Sequence, residues 1–308
     1  MNDMRYIYGP VPSRRLGISL GISPIPKKTC NYSCIYCQLG RTDKMSNNRE
    51  MFFPVGDILS EFDAVVTQKI AFDVITIVGE GEPTLYLGLG KLIEQLQQRC
   101  DKPIAVITNG ALLYDKQVRE DLQKADIVLP TLDACSKDLF RKINRPYKTL
   151  TYEKVLWGLQ EFSKDYRGQL WIEIMLVEGY NDDERSLKEY LKMLSTIHYD
   201  KLYVNTPVRP PAESRVKAVD HEKMAYAAQY LGGISIDLLV SQGFHSEIKN
   251  DYDAVLSIIK RHPMNQFEIE GFLNSRKCKH IDETMTELSK DPRTQSIDYK
   301  GFVTYRLR

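Results

Sequence analysis

The chain has 308 residues, of which 43% are hydrophobic and 27% charged, and its 42 Lys and Arg residues nearly balance 41 Asp and Glu residues. This composition excludes a disordered chain, a fibre and a protein that coats nucleic acid through bulk charge. It leaves room for about two domains, or for one large barrel with an appendage. Neither a membrane-spanning apolar run nor a secretory signal is visible, so we expect a cytoplasmic protein without a membrane contact.

Short apolar runs alternate with longer amphipathic runs through most of the chain. The runs with the β-branched, apolar character of buried parallel strands are 17–22, 73–78, 104–108, 127–132, 171–177 and 202–205. The runs with helical spacing of apolar residues are 55–70, 87–100, 116–124, 152–163, 185–197 and 220–231. Such alternation predicts an α/β fold, a partial (β/α)6 barrel whose functional residues lie at the C-terminal ends of its strands.

The pattern changes near residue 251. Helical runs are predicted at 253–261, 265–273 and 281–289, and a β-hairpin at 294–297 and 302–306, around the turn Asp298-Tyr299-Lys300-Gly301. Three short helices and a hairpin resemble a winged helix-turn-helix. We therefore predict a barrel domain at 1–245 and a winged-helix-like domain at 251–308. Ten Lys and Arg against nine Asp and Glu after residue 250 give no basic excess, so a packing or partner-docking cap fits equally well.

A cluster of cysteines, Cys30, Cys34 and Cys37, follows the first predicted strand with C-x3-C-x2-C spacing. A structural zinc site would want four ligands, and the remaining cysteines are too scattered to supply a second pair. A disulfide framework suits neither three clustered cysteines nor a reducing compartment. Three thiolates in one loop are suited to a 4Fe-4S cluster, of which they bind three irons and leave the fourth open for chemistry.

The same run, with Tyr36 before its last cysteine, resembles the signature of the radical S-adenosylmethionine (SAM) superfamily, whose core is a partial (β/α)6 barrel. Residues 78–84, VGEGEPT, resemble the Gly-Gly-Glu-Pro motif of that superfamily, with Glu80 in place of the first glycine. The strand ends at 108–110 and 131–133 are similar to positions at the top of its barrel.

This resemblance implies a 4Fe-4S cluster and SAM as cofactors, with Cys30, Cys34 and Cys37 as the iron ligands. It implies that Tyr36 packs on the adenine of SAM and that Gly81 and Glu82 help to seat its methionine end. Further candidates for cofactor contacts are Thr108, Asp133, Glu173 and Asn205. For three of these, Thr108, Glu173 and Asn205, an ordinary place in the polar interior of a barrel is the alternative.

Cys135 follows Asp133 by two residues and is expected in the loop above the fourth strand, facing the site. A thiol there would return a hydrogen atom to a substrate radical or bind an intermediate covalently, so Cys135 is a catalytic candidate. The alternative is a small residue that precedes the next helix and packs as a hydrophobe.

Longer stretches, 8–17, 27–42, 143–146 and 205–211, are similar to radical SAM proteins related to the tRNA wyosine-synthesis enzymes. The similarity implies a base-modifying enzyme that acts on tRNA. Its phosphate or carboxylate contacts would come from Arg14, Arg15, Lys27, Lys28, Arg41, Arg145 and Arg209. Wyosine-forming enzymes carry a second cysteine set upstream, and no cysteine precedes Cys30 here, so the wyosine reaction itself is not carried over.

The predicted function is reductive cleavage of SAM to a 5'-deoxyadenosyl radical, which takes hydrogen from a macromolecular substrate, either tRNA or a peptide. The electron would come from a donor such as flavodoxin or ferredoxin. Two alternatives remain: an enzyme of the same chemistry acting on a small metabolite, and an iron-sulfur redox sensor that binds DNA through the winged helix. The VGEGEPT segment disfavours the sensor, because a sensor has no use for a strand end that binds SAM.

Overall fold

The computed structural model describes residues 4–236, 244, 246, 248–260, 262–299 and 301–308. Four positions named in the sequence predictions lie outside these residues: both bounds of the barrel domain, residues 1 and 245, Arg261 at the end of a predicted helix, and Lys300 in the predicted turn. None of the helices in the described residues is both long and apolar enough to cross a lipid bilayer.

The larger sheet has eight strands in the order β1-β2-β5-β6-β7-β8-β9-β10. Strands β2 and β5 to β10 are parallel, whereas β1 pairs with β2 in the antiparallel sense. The described strands are β1 (Ile7–Ser13), β2 (Gly17–Ile22), β3 (Thr29–Cys30), β4 (Lys44–Met45), β5 (Val74–Ile77), β6 (Ile104–Thr108), β7 (Ile127–Pro130), β8 (Gln169–Met175), β9 (Lys201–Asn205), β10 (Ile234–Ser235), β11 (Met264–Asn265), β12 (Thr294–Tyr299) and β13 (Phe302–Leu307).

Helices connect the parallel strands and cover the sheet, and the main hydrophobic core lies between them. The described helices are α1 (Val55–Val66), α2 (Leu89–Gln97), α3 (Lys116–Leu122), α4 (Lys137–Leu139), α5 (Tyr152–Asp165), α6 (Glu184–Leu194), α7 (His221–Leu231), α8 (Asp251–Ile259), α9 (Gln266–Ser275) and α10 (Ile281–Lys290). Side-chain oxygens of Asp115, Thr151, Asp183 and Asp220 accept from backbone N–H groups of α3, α5, α6 and α7, so local sequence determines where these helices begin.

The result is an α/β fold with a mostly parallel sheet, consistent with the predicted partial barrel. The six predicted strands all form, with ends shifted by at most two residues. Two strands at the sheet edges were not predicted. Strand β1 contains Pro10 and Pro12, which are tolerated because an edge strand needs hydrogen bonds on one side only. Strand β10 has only two residues and is too short to give a pattern.

The C-terminal part follows the order α8, β11, α9, α10, β12, β13, and its three strands form a sheet in the order β11-β13-β12. The predicted hairpin is present, with Tyr299 opposite Phe302 in its last pair. A second hydrophobic core holds this part together, and it includes Val11 of β1 together with helix residues such as Ile269 and Leu273. The first strand of the large sheet is therefore packed directly against the C-terminal part.

Candidate functional site

The three clustered cysteines occupy one compact loop that begins at β3. Cys30 ends β3, which pairs in parallel with β4 on the far side of the loop. The backbone N–H of Cys37 donates to the carbonyl oxygen of Cys34 at 3.1 Å, so the second and third cysteines are joined by a tight turn. All three thiols are free and half-buried. The loop thus presents three sulfur donors from one short segment.

Two asparagine amides from distant segments donate to cysteine sulfurs. Asn109, directly after β6, places Nδ2 at 3.6 Å from Cys30 Sγ. Asn144, at the end of a π-helical turn (Phe140–Asn144), places Nδ2 at 3.6 Å from Cys34 Sγ. The backbone N–H of Tyr32 also donates to Cys30 Sγ, at 3.4 Å. Donors on sulfur are the usual surroundings of iron-bound thiolates, whose reduction potential they influence.

The electrostatics of the loop oppose free thiolates. Burial raises the pKa of the Cys34 thiol well above its ordinary value, and the nearby carboxylate of Asp133 adds to the effect. Burial also raises the pKa of Cys30, to which Glu82 contributes. For Cys37 burial again raises the pKa, but the charge of Lys28 acts in the opposite direction. Bound iron would supply the positive charge that keeps such buried sulfurs ionised.

The donor set fits a 4Fe-4S cluster better than a single metal ion. Within the described ranges, no three His, Cys, Asp or Glu side chains converge on one point where a single ion would bind. A 4Fe-4S cluster makes a different demand, because each thiolate binds its own iron atom. Three cysteines in one loop, with amide donors directed at two of their sulfurs, meet that demand.

Tyr36 and Asp133, predicted separately as cofactor contacts, lie together. The Tyr36 hydroxyl donates to Asp133 Oδ2, and Asn144 Nδ2 donates to the same oxygen at 2.8 Å. The backbone N–H of Met175 donates to Asp133 Oδ1 at 3.3 Å. Burial raises the pKa of the Asp133 carboxyl, while the bond from Tyr36 acts against that shift. The end of β7 is thereby tied to the cysteine loop.

Glu82 is buried at the end of β5, with only 2% of its surface exposed. Its Oε1 accepts from Thr84 Oγ1 and from Thr108 Oγ1, both at 2.6 Å, and from the Thr84 N–H at 3.0 Å. Its Oε2 accepts from the Asn109 N–H at 2.7 Å. Burial raises the pKa of this carboxyl, and all four donors oppose the shift. The structure therefore brings two predicted residues, Glu82 and Thr108, into one bonded group that joins the ends of β5 and β6.

Gly81 is where the chain after β5 meets the cysteine-bearing strand. A Cβ atom at this position would lie 1.9 Å from the carbonyl oxygen of Thr29. That oxygen accepts from the Glu82 N–H at 3.0 Å. Only glycine permits this approach, because any side chain would displace the backbone that immediately precedes Cys30.

Glu173 and Asn205 are also brought together. Asn205 Nδ2 donates to Glu173 Oε1 at 3.2 Å, and the other oxygen of Glu173 forms an ion pair with Arg15. Burial lowers the pKa of the Arg15 guanidinium to about 10. Glu173 lies on β8, Asn205 lies on β9, and Arg15 lies in the turn between β1 and β2. Their contacts therefore connect strands that are far apart in the strand order of the sheet.

A cleft of about 230 Å³ lies beside the cysteine loop. Gln38 and Leu39, which follow Cys37, form part of its wall, and so do Gly79 and Glu80 of the VGEGEPT segment. Other lining residues come from β1 and its following turn, from the end of β9, and from the C-terminal part: Tyr8, Arg14, Arg15, Asn205, Arg209 and His262. The cleft joins the cysteine loop to the strand ends, as expected for a ligand site of a parallel α/β fold.

Hydrogen bonds of Arg209, Tyr299 and Arg306 connect this region with the C-terminal part. Arg209 donates to the carbonyl oxygen of Pro263 and to both carboxylate oxygens of Glu268. The Tyr299 hydroxyl donates to the carbonyl oxygen of Pro207 at 2.6 Å. Arg306 donates to the carbonyl oxygen of Gln38 at 3.3 Å, one residue after Cys37. The C-terminal part therefore covers one side of the cleft and touches the cysteine loop.

Cys135 is placed away from the other candidates. Its side chain is 9% exposed and belongs to the main hydrophobic core, with its thiol against Ser186 of α6. It does not line the cleft described above. The sequence predicts that Cys135 lies above the fourth strand and faces the site. In the structure, the chain after Asp133 instead turns the Cys135 side chain toward α6.

Several of the predicted basic residues are paired with carboxylates. Arg41 and Arg145 both bind Glu213, at 3.0 and 2.7 Å, and their hydrogen bonds lower the pKa of that carboxyl to about 2. Lys28 lies 3.8 Å from a carboxylate oxygen of Asp43. The positive charges of Lys28, Arg41 and Arg145 are thus paired with carboxylates of the protein itself.

Sequence reasoning missed the roles of Asn109 and Asn144 as donors to sulfur. Asn109 lies in the predicted strand end at 108–110, and Asn144 lies in the stretch 143–146 that carries the family resemblance. A polar residue directly after a buried strand was the available signal for Asn109. Asn109 is 79 positions from Cys30 in the sequence, and Asn144 is 110 positions from Cys34. These two contacts are therefore visible only in the folded chain.

Comparison with known proteins agrees with this geometry. Residues 25–191 match the family model described as the Radical SAM superfamily. A UPF0026 protein of Methanocaldococcus jannaschii is 34% identical over 312 residues, which cover 98% of this chain and 96% of that protein. A protein of Brachyspira hyodysenteriae named GTPase Obg is 40% identical over 306 residues, and this chain spans 98% of its own length but 45% of that relative.

Solved structures are similar in fold. A structure of TYW1 with a lysine-pyruvate adduct bound has a TM-score of 0.51 at 20% identity, covering 70% of this chain and 74% of that chain. A structure of Streptococcus suis SuiB bound to its precursor peptide SuiA has a TM-score of 0.54 at 15% identity, covering 71% of this chain and 47% of that chain. At these identities the likeness concerns the fold alone. The family match, which spans the cysteine loop and the strand ends around it, shows that the chain belongs to the radical SAM superfamily.

Proposed function

We propose that the protein is a radical SAM enzyme in which Cys30, Cys34 and Cys37 hold a 4Fe-4S cluster. The observation that carries the proposal is the cysteine loop itself, with amide donors on two of its sulfurs and a cleft beside it. Membership of the superfamily favours an enzyme over the redox sensor. A cytoplasmic location remains a prediction.

Held by Cys30, Cys34 and Cys37, a 4Fe-4S cluster would supply the single electron needed to cleave SAM to methionine and a 5'-deoxyadenosyl radical, and that radical would take a hydrogen atom from the substrate to become 5'-deoxyadenosine. The electron comes from a one-electron donor of the flavodoxin or ferredoxin class. Lys28 and Arg306 favour the approach of an acidic donor, because both place positive charge near Cys37.

The remaining residues position the cofactor and shape its surroundings. Gly81 and Glu82 seat the methionine end of SAM by fixing the backbone between β5 and β3. Tyr36, anchored by Asp133, packs on the adenine. Additional polar contacts to SAM come from Thr108, Glu173 and Asn205, which lie at the ends or on the inner faces of strands.

The substrate that we propose is a macromolecule, either tRNA or a peptide. A fold neighbour, SuiB, is bound to its precursor peptide, which agrees with a peptide substrate. The tRNA alternative rests on the sequence similarity to the group related to the wyosine-synthesis enzymes. The C-terminal part, residues 251–308, has the element order of a winged helix, with β11 between its first two helices and a terminal hairpin. We infer that it is a winged-helix-like domain beside a barrel domain at 1–245 and that it helps to recognise the substrate.

A small metabolite is the second candidate, and one observation favours it. The cleft measures about 230 Å³, and Arg209 and Arg306 hold the C-terminal part across one side of it. A ligand of metabolite size fits such a covered space without displacing the C-terminal part.

The test is anaerobic reconstitution with iron and sulfide, followed by dithionite and SAM, with 5'-deoxyadenosine as the measured product. Cys34→Ala is expected to lose both the brown cluster absorbance and 5'-deoxyadenosine formation. Cys100→Ala is the matched control, since Cys100 packs against the main core away from the loop. Full product formation by Cys34→Ala would overturn the cluster assignment.

Addition of bulk tRNA separates the substrate classes. Product formation that rises with tRNA supports an RNA substrate and justifies mapping the modified base. Formation that is indifferent to tRNA directs the search to peptides and metabolites. An intact cluster that forms no 5'-deoxyadenosine would contradict the enzyme and favour the sensor.

A further inference from the structure

The cleft contains three arginines that come from separate parts of the sheet. Arg14 and Arg15 lie in the turn between β1 and β2, and Arg209 follows β9. Arg15 forms an ion pair with Glu173. Arg209 donates to the two carboxylate oxygens of Glu268 at 3.2 and 3.3 Å. Two of the three positive charges are therefore each matched by a carboxylate within the protein.

Arg14 differs from its two neighbours. Its side chain lines the cleft and is partly buried, yet it forms neither a hydrogen bond nor an ion pair with any residue that the structure describes. A guanidinium carries five N–H donors in a planar fork that matches two oxygens of a carboxylate or phosphate. The fork of Arg14 is therefore not occupied by any described residue and faces the cleft, where an anionic group of a ligand could accept from it.

The surroundings of Arg14 also favour an anion. Burial lowers the pKa of His262 well below its ordinary value, and the charges of Arg209 and Arg14 act in the same direction. Burial and Arg14 likewise lower the pKa of Arg15. Glu80, the acidic residue in the wall of the cleft, follows β5 and lies beside Lys27. Like charges thus face a common space, and an anion there would reduce their repulsion.

We propose that Arg14 binds a carboxylate or phosphate group of a ligand held in the cleft beside the cysteine loop. This inference rests on the proposed function, because it takes the cleft as the place where SAM or the substrate binds. The anionic group has two sources: the carboxylate of SAM, or an acidic group on the substrate. Arg15 and Arg209 add to the positive potential but keep their own carboxylate partners.

The test compares the wild-type chain with Arg14→Gln and Arg14→Lys, using Arg167→Gln as the control, since Arg167 is exposed between α5 and β8. Calorimetry measures binding of SAM and of decarboxylated SAM to the anaerobically reconstituted protein. Thermal shift measures binding of inorganic phosphate to the same chain without iron. Circular dichroism checks that each variant is folded.

If Arg14 holds the SAM carboxylate, Arg14→Gln weakens SAM binding about tenfold and leaves decarboxylated SAM unaffected. If it holds an acidic group of the substrate, SAM binding is unchanged and the stabilisation by phosphate falls about tenfold in apparent affinity. Arg14→Lys keeps the positive charge and so retains part of the binding that Arg14→Gln loses. Arg167→Gln binds each probe as the wild type does. Equal binding of all three probes by wild type and Arg14→Gln would overturn the proposal. The phosphate measurement needs no cluster, so failure to load iron would count against the proposed function alone.

Discussion

A methyl group at residue 81 tests whether the chain after β5 determines where the cysteine strand lies. In Gly81→Ala the new Cβ would lie 1.9 Å from the Thr29 carbonyl oxygen, so the two backbones must separate by at least about 1 Å to reach a normal contact. Overpacking of this kind costs about 1–3 kcal/mol. Loss of the bond from the Glu82 N–H to the same oxygen adds about 1 kcal/mol. We expect the free energy of unfolding to fall by about 2–4 kcal/mol.

The same displacement would move Cys30, so we expect Gly81→Ala to bind less iron than the wild type. The measurements are urea unfolding of the chain without iron, followed by iron content and visible absorbance after anaerobic reconstitution. Gly56→Ala is the matched control, because Gly56 lies in α1 and an added Cβ would meet no atom within 4 Å beyond its chain neighbours and the backbone of its own helix. There the substitution is expected to stabilise the helix by about 0.5–1 kcal/mol. Wild-type stability and iron content in Gly81→Ala would refute the reasoning.

Two further substitutions address individual side chains. Asn109→Ala removes a donor to Cys30 Sγ, so the cluster should keep its iron but have a lower reduction potential in an electron paramagnetic resonance titration; an unchanged potential would contradict a bond to the iron ligand. Cys135→Ala should retain 5'-deoxyadenosine formation and substrate turnover while losing about 1 kcal/mol of stability, since the thiol packs in the core. Selective loss of substrate turnover would restore Cys135 as a hydrogen-atom donor.

The strands and helices of the large sheet were predictable because their apolar runs are buried on a regular period. Asp183 and Asp220 cap the N-terminal ends of α6 and α7, and such short polar residues before an apolar run are a local signal of where a helix begins. Strand β1 was not predictable from pattern, because Gly9, Pro10 and Pro12 read as a turn. Its pairing depends on β2 beside it and on the C-terminal core that packs against Val11.

Within the candidate site, the sequence indicated which residues belong together but not how they are bonded. Cys30, Cys34 and Cys37 were visible through their spacing, which is a local property. The four donors around Glu82 come from two strand ends, and a carboxylate predicted to contact SAM proves to be occupied by bonds within the protein. The direction of Cys135 depends on how the chain leaves β7, which no periodic pattern records.

The bonds of Arg209 make the two parts of the chain difficult to exchange independently. Glu268 also accepts from the Asn265 N–H to cap α9, so one carboxylate serves both the start of a helix and the contact with the large sheet. A chimera that joins this C-terminal segment to a different barrel would leave Glu268 without its guanidinium unless an arginine were supplied at the same place. A recombinant that carries the segment without Arg209 is therefore expected to be less stable than one that carries both.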